Sequence, residues 1–164
     1  MHSSKPNSTS IEFSDYQTSI PSILDRIGAA DVLAAQNHIL LKPNLVNASP
    51  PPVTTPTDCC EAIIDFIRSV SDSRITIAEG CGDVCRETPE IFSCLGYDRL
   101  SARYGVDLTD LNAQPLVRKE NPACSLFQEI FLPEIAFTTF IISIPVLKAH
   151  SLAGITGALK NMMG

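Results

Sequence analysis

Three apolar runs along the chain have the length and continuity of buried strands. They cover residues 38–46, where Pro43 ends the strand near Lys42, residues 74–79 and residues 139–147. Runs of this length with apolar residues at consecutive positions are typical of parallel strands that are covered on both faces. Weaker patterns predict further strands at 11–16 and 106–111, and a β-hairpin formed by 116–117 and 127–132.

Helical periodicity lies between these strands. One apolar face recurs at the 3.6-residue period and consists of Ala62, Ile63, Phe66, Ile67 and Val70. Its helix is predicted to start with Thr55 as the N-cap and Pro56 as the first helical residue. Thr88 and Pro89 repeat this signal and predict a second helical segment that ends at Gly105. The remaining predicted helices are residues 21–27 and a helix that starts near Ile155.

The alternation of strands and capped helices predicts an α/β protein with a mainly parallel, doubly wound sheet. Helices are expected on both faces, because parallel neighbours need a crossover element between them, and the hairpin would be an addition to the sheet. We expect residues 1–10 to form a disordered tail and residues 11–164 to form a single α/β domain. That domain is expected to be incomplete at its C-terminal end.

Composition and charge narrow the classes of partner. The net charge of −6 opposes binding to a phosphate backbone, so nucleic acid is not an expected partner. No apolar run reaches the roughly 18 residues that a membrane span needs. The polar start of the chain lacks the order of a signal peptide, so we expect a cytoplasmic protein with reduced cysteines. The six cysteines match neither a ferredoxin run nor a paired zinc motif, so no metal ligands are assigned.

Candidate chemistry gathers where the predicted strands end. Ligands of open parallel sheets bind beyond the carboxyl ends of the strands. Lys42 and Asn44 close the first strand, Glu79 closes the second, and Lys148 and His150 follow the last. A lysine within an apolar stretch needs a partner, because an unpaired buried charge costs several kcal/mol. The simple alternative for these lysines is a side chain that reaches solvent or pairs with an acidic residue.

These residues suggest two roles. His150, Glu79 and Lys148 are the candidates for proton or metal chemistry, although a lone histidine is more often structural and Glu79 would also serve in a salt bridge. Lys42, Asn44, Thr156, Lys160 and Asn161 are the candidates for binding a cofactor or an anionic ligand. Thr156 is expected in the first turn of the last helix, with Lys160 one turn further on, which would form a cradle for phosphate or carboxylate.

Several ordered motifs resemble a known family. They are Lys42-Pro43-Asn44, Thr54-Thr55-Pro56, Ala78-Glu79-Gly80, Gly96-Tyr97, Ile144-Pro145-x-x-Lys148-x-His150 and Gly157-Ala158-Leu159-Lys160-Asn161-x-x-Gly164. In this order and spacing the chain resembles the family catalogued as domain of unknown function 362, from about Ile39 to Gly164. The family domain is longer than this chain, which is consistent with a truncated member.

The family that the chain resembles has no agreed activity. Many members look like iron-sulfur proteins with a ferredoxin-type cysteine cluster beside the domain, and such a cluster would lie outside this chain. The site is also loosely similar to that of nickel-pincer lactate racemases, which would place Lys148, His150 and Lys160 around a phosphorylated metal cofactor, a metal-nucleotide compound.

Two functions follow as hypotheses. The first is an enzyme of the redox or isomerase type that binds a small anionic or phosphorylated ligand, or a metal cofactor, at the carboxyl edge of the sheet. The second is a non-catalytic binding or docking domain for an iron-sulfur, ferredoxin-like partner.

Overall fold

The computed structural model describes residues 8–150 and 154–162. The helices are α1 (Tyr16–Ile27), α2 (Ala29–Ala34), α3 (Thr57–Val70), α4 (Thr88–Cys94), α5 (Tyr97–Tyr104) and α6 (Ala158–Asn161). The strands are β1 (His38–Pro43), β2 (Arg74–Glu79), β3 (Asp107–Asp110), β4 (Leu116–Glu120), β5 (Glu129–Pro133), β6 (Phe140–Ile144), β7 (Lys148–His150) and β8 (Gly154–Thr156). Two short 3-10 helices cover Leu111–Ala113 and Glu134–Phe137.

The main sheet has four parallel strands in the order β3-β2-β1-β6. The pairs β4–β5 and β7–β8 each form a separate antiparallel hairpin. These features confirm the predicted α/β class, the parallel sheet and the hairpin addition. They also put the predicted apolar strands β1, β2 and β6 side by side in the sheet, which is where continuous apolar runs belong.

Helices α1 to α5 cover one face of this sheet. α3 packs against α1, α2 and α5, and its apolar positions are buried as the periodicity predicted. Ile39 and Leu41 of β1 point into the same core as Ile75 and Ile77 of β2. Burial of these side chains is the main stabilising contribution, because each large aliphatic side chain removed from water contributes roughly 1.5–3 kcal/mol.

Different elements cover the second face. Side chains alternate along a strand, so Leu40 and Lys42 of β1 and Ile141 of β6 point away from the helical core. Together with parts of the β4–β5 hairpin and Met162 after α6, they line a cavity on this side. α6 contacts β6, so helices lie on both faces, although the second face has only this short one.

The N-terminal prediction is wrong in two respects. Residues 11–16 do not form a strand, and α1 begins at Tyr16 rather than at Pro21. The physical reason is a cap: the Asp15 carboxylate accepts a hydrogen bond from the Thr18 N–H and starts the helix one turn and more before the proline. Most of the predicted disordered tail, residues 1–7, lies outside the described residues.

The two threonines predicted as helix caps have other partners. Pro56 is the N-cap of α3 and Glu87 is the N-cap of α4, so each helix begins one position away from the prediction. The Thr88 hydroxyl accepts a hydrogen bond from the Cys81 N–H instead. The segment after Thr88 also divides into α4 and α5, because Gly96 takes a left-handed conformation with φ 83° between them.

The C-terminal part differs most from the prediction. β6 ends at Ile144, before Pro145, because proline has no N–H for the ladder. The helix expected near Ile155 is wrong: residues 154–156 form β8, which pairs with β7, and α6 begins only at Ala158. Residues 151–153 lie outside the described residues.

Candidate functional site

The central strand β1 stands where the connections of the sheet diverge. β2 and β3 lie on one side of it and β6 on the other. In open parallel sheets such a topological switch point leaves a crevice at the carboxyl ends of the strands, and ligands bind there. Lys42, Glu79 and Lys148 lie at or just beyond these ends. We call this region the carboxyl-edge site.

A buried ion pair forms the floor of the carboxyl-edge site. Lys42 Nζ lies 2.7 Å from Glu79 Oε2, and the two side chains are only 5% and 4% exposed. Burial raises the pKa of Glu79 to about 7, and the nearby Lys42 ammonium opposes this rise without cancelling it. A raised pKa is a property that a carboxyl group needs in order to act as a general acid or base at neutral pH.

Lys148 is held over the same edge by two oxygen atoms. Its Nζ donates to Asn44 Oδ1 at 2.6 Å and to the Val53 carbonyl at 2.5 Å. Burial lowers the pKa of Lys148, and the positive charge of Lys160 lowers it further. Both of these acceptors are neutral, so neither compensates the positive charge of Lys148.

Thr55 joins the ends of the two strands that flank the switch point. Its hydroxyl accepts from the Asn44 N–H at 2.9 Å and donates to the Ile144 carbonyl at 2.9 Å. The Tyr97 hydroxyl in turn donates to the Thr55 carbonyl at 2.8 Å. Thr55 and Tyr97 were not predicted as site residues, although both lie in the motifs that carry the family resemblance. Because the sequence pattern predicts Thr55 as a helix cap, it does not indicate that the Thr55 hydroxyl joins the ends of two strands.

Asn161 connects α6 to the same edge. Its Nδ2 donates to the Lys42 carbonyl at 3.0 Å and to Ser143 Oγ at 3.1 Å. The side chain is buried, and its Oδ1 has no hydrogen-bond partner among the described residues. The structure thus brings Asn161 to Lys42, although the contact is to the Lys42 backbone.

The remaining predicted site residues lie on the β7–β8 hairpin and α6. Thr156 is buried and faces Lys148 across the hairpin, so it does not start a helix. His150 is half-buried and pairs with Gly154. Lys160 is exposed on α6, so its charge is solvated and needs no buried partner. The predicted cradle formed by Thr156 and Lys160 on one helix is therefore wrong.

Gly80 allows a close approach directly after Glu79. A Cβ at this position would lie 2.5 Å from Asn112 Oδ1, and Asn112 Nδ2 donates to the Cys81 carbonyl at 3.1 Å. We predict that Gly80→Ala displaces Asn112 and lowers the free energy of unfolding by roughly 1 kcal/mol, measured by urea denaturation.

Two controls test the Gly80 prediction. Gly82→Ala should be neutral, because the nearest atom to a Cβ at Gly82 is 4.0 Å away. In an Asn112→Ala background the cost of Gly80→Ala should largely disappear, since the clashing atoms are absent. An unchanged cost in that background would contradict the proposed contact.

The described residues show neither a clustered metal-ligand set nor a membrane-spanning helix. The described residues contain no group of three or more His, Cys, Asp or Glu side chains that could hold a metal ion. The carboxyl-edge residues Lys42, Glu79 and Lys148 carry ammonium and carboxylate groups, whereas iron-sulfur clusters are held by cysteine thiolates, so these three side chains do not fit such a cluster. Among the same residues, every helix is too short or too polar to cross a membrane.

The fold and the carboxyl-edge site define an α/β protein with an open parallel sheet, a buried lysine–glutamate pair and a second lysine held by neutral oxygen atoms at one edge. Within that class, residues 39–164 match the family described as Domain of unknown function (DUF362). The chain belongs to this family, as its motifs predicted. A search of curated proteins and a search of solved structures each gave no significant match.

Proposed function

We propose that the chain is an enzyme of the isomerase or redox type that binds a small anionic or phosphorylated ligand at the carboxyl-edge site. The observation that carries the proposal is the buried Lys42–Glu79 pair at the ends of β1 and β2. Charged pairs are costly to bury, and a carboxyl group with a pKa near 7 suits proton transfer at neutral pH. The expected cytoplasmic location stays a prediction.

The charges around the edge support an anion as the ligand. Among the described residues, the two oxygen atoms that accept from Lys148 are neutral, and its charge is repelled by that of Lys160. An anion beside both ammonium groups would relieve this repulsion. In this proposal Glu79 is the group that takes or gives a proton, Lys148 and Lys160 bind the anion, and His150 is a second candidate for the proton step.

Sulfate binding provides the test, because sulfate takes up no proton itself near pH 7. In calorimetric titrations, Lys148→Met should weaken sulfate binding about tenfold or more, since a hydrogen bond to a charged group contributes roughly 1.5–3 kcal/mol. Lys119→Met is the matched control, because Lys119 lies on β4 against the Phe137 ring and should not affect binding. Equal affinity in wild type and Lys148→Met would contradict the proposed site.

Proton uptake separates an acid–base site from a simple anion site. An anion near Glu79 raises the pKa of that carboxyl further, so sulfate binding at pH 7 should draw protons into the protein. Titrations in buffers of different ionisation enthalpy measure this uptake. It should fall in Glu79→Gln while sulfate still binds. Sulfate binding with the same uptake in both proteins would remove Glu79 from the proposal.

We propose a docking domain as the second candidate function. Leu147, Ile155 and Leu159, close to the carboxyl-edge site, are 75%, 63% and 89% exposed. Exposed apolar side chains near one another are common at protein interfaces. Leu159→Ser should then weaken binding of a ferredoxin-type iron-sulfur protein, and Leu126→Ser, at an equally exposed position between β4 and β5, should not. Equal binding by both variants would argue against this function.

A further inference from the structure

A cavity of about 470 Å³ opens between the sheet and the β4–β5 hairpin. Leu40 and Ile141 of the sheet form one wall, and Ile130 and Leu132 of β5 form another. Ala136, on the 3-10 helix after β5, also lines it. Its volume lies in the range of small-molecule sites, which are mostly apolar with a few polar groups.

The polar lining of this cavity lies towards one end. Lys42 near the end of β1, Gly80 after β2 and Asn112 after β3 all belong to the carboxyl edge, whereas the other lining residues are apolar. Lys42 thus lines the cavity and also pairs with Glu79 in the carboxyl-edge site. The cavity and the site share this residue.

This distribution defines the chemistry of a fitting ligand. The apolar walls favour hydrocarbon, because burial of each methylene contributes about 0.8 kcal/mol. The polar end presents the ammonium group of Lys42, and burial raises the pKa of its partner Glu79, which disfavours the charged form of that carboxyl. An anionic head group at this end would then face a positive charge that Glu79 only partly neutralises.

We propose that the ligand is an organic carboxylate with an apolar body, whose head group lies in the carboxyl-edge site between Lys42 and Lys148 and whose body fills the cavity under the β4–β5 hairpin. This inference rests on the proposed anion-binding function and specifies its ligand class. The carboxyl carbon would then lie beside Glu79, and the carbon chain would point away from Lys148 into the cavity.

A series of straight-chain carboxylates tests the inference. Calorimetric affinities of acetate, butyrate, hexanoate and octanoate for the wild type should rise about twofold to fourfold per methylene, as burial of the chain requires. 1-Octanol should bind at least tenfold more weakly than octanoate, because it lacks the charge. Octanol binding as tight as octanoate binding would overturn the assignment of the head group.

A cavity-filling variant locates the binding. Ala136→Phe should remove the dependence on chain length and leave acetate and sulfate affinity unchanged. Ala123→Phe, at an exposed loop position outside the cavity, is the matched control and should behave as wild type. A dependence on chain length that persists in Ala136→Phe would place the apolar contacts elsewhere and overturn the inference.

The outcomes also separate this inference from the proposed function. If sulfate and acetate bind but affinity does not grow with chain length, the carboxyl-edge site stands and the apolar cavity has no role in binding. If neither sulfate nor any carboxylate binds, both fail. A rising series in the wild type and Ala123→Phe, lost in Ala136→Phe, supports both.

Discussion

Replacing Lys42 by methionine should lower the free energy of unfolding by about 3 kcal/mol at pH 8, because it leaves the buried Glu79 carboxylate without its partner. Methionine has a similar length and no charge, so the packing of the side chain is largely kept. Urea denaturation followed by circular dichroism measures the effect. A matched control is Arg74→Met, which removes the exposed pair with Asp107 and should cost less than about 1 kcal/mol.

The stability lost in Lys42→Met should depend on pH, because the charge of Glu79 depends on pH. The folded-state pKa of Glu79, about 7, is above its ordinary value of 4.5, so its contribution to stability is fully present below pH 4.5 and is lost as the pH rises through 7. Without Lys42 the pKa of Glu79 rises further, because the ammonium that opposed the rise is absent. The stability difference between wild type and Lys42→Met should therefore shrink as the pH falls from 8 towards 5.

A second substitution tests the cause of the loss. Glu79→Gln in the Lys42→Met background removes the charge that was left unpaired, so stability at pH 8 should recover relative to Lys42→Met alone. If Lys42→Met costs the same at pH 5 as at pH 8, or if Glu79→Gln gives no recovery, the ion pair is not the source of the effect.

The central part of the fold could be predicted because its signals are local. β2 matches the predicted residues 74–79, and β1 ends one residue after the predicted position at Lys42. α3 ends at Val70 as its periodicity predicted. Each of these elements is a buried run or an amphipathic face bounded by turn residues, so the sequence around it determines its type and places its ends to within one residue.

The C-terminal hairpin could not be predicted in the same way. The segment 154–156 is short and contains a glycine. It forms β8 only because Thr156 pairs with Lys148 across the hairpin. The local sequence pattern that predicted a helix near Ile155 contains no information on this pairing. The cavity was missed for a similar reason: it depends on where the β4–β5 hairpin lies on the sheet, which no local pattern specifies.

The candidate site was predicted in part. The rule that carboxyl ends of parallel strands share one edge correctly brought Lys42, Asn44, Glu79 and Lys148 together. It did not reveal that Asn44 is itself held by Thr55, because a hydroxyl that suits a helix cap suits any nearby backbone group equally well. Contacts between backbone and side chain across the switch point are the part of the site that sequence patterns do not contain.

Thr55→Val should therefore have the second large effect, a loss of about 3 kcal/mol in the free energy of unfolding. Valine has nearly the same shape, but without the hydroxyl the partly buried Asn44 N–H and the buried Ile144 carbonyl both lose their side-chain partner. Each unsatisfied buried group costs roughly 1–3 kcal/mol. Urea denaturation measures the loss, and Thr138→Val, which removes an exposed hydroxyl, should cost much less.

Thr55→Val should also affect ligand binding at the carboxyl-edge site. Asn44 accepts from Lys148, so a loosened Asn44 backbone should weaken sulfate binding several-fold in Thr55→Val even under conditions where the protein is fully folded. Thr55→Ser keeps the hydroxyl and should restore both stability and sulfate affinity to near the wild-type values. A Thr55→Val variant that loses stability but binds sulfate normally would show that Thr55 supports the sheet alone, and that Lys148 is positioned by the Val53 carbonyl without help from Asn44.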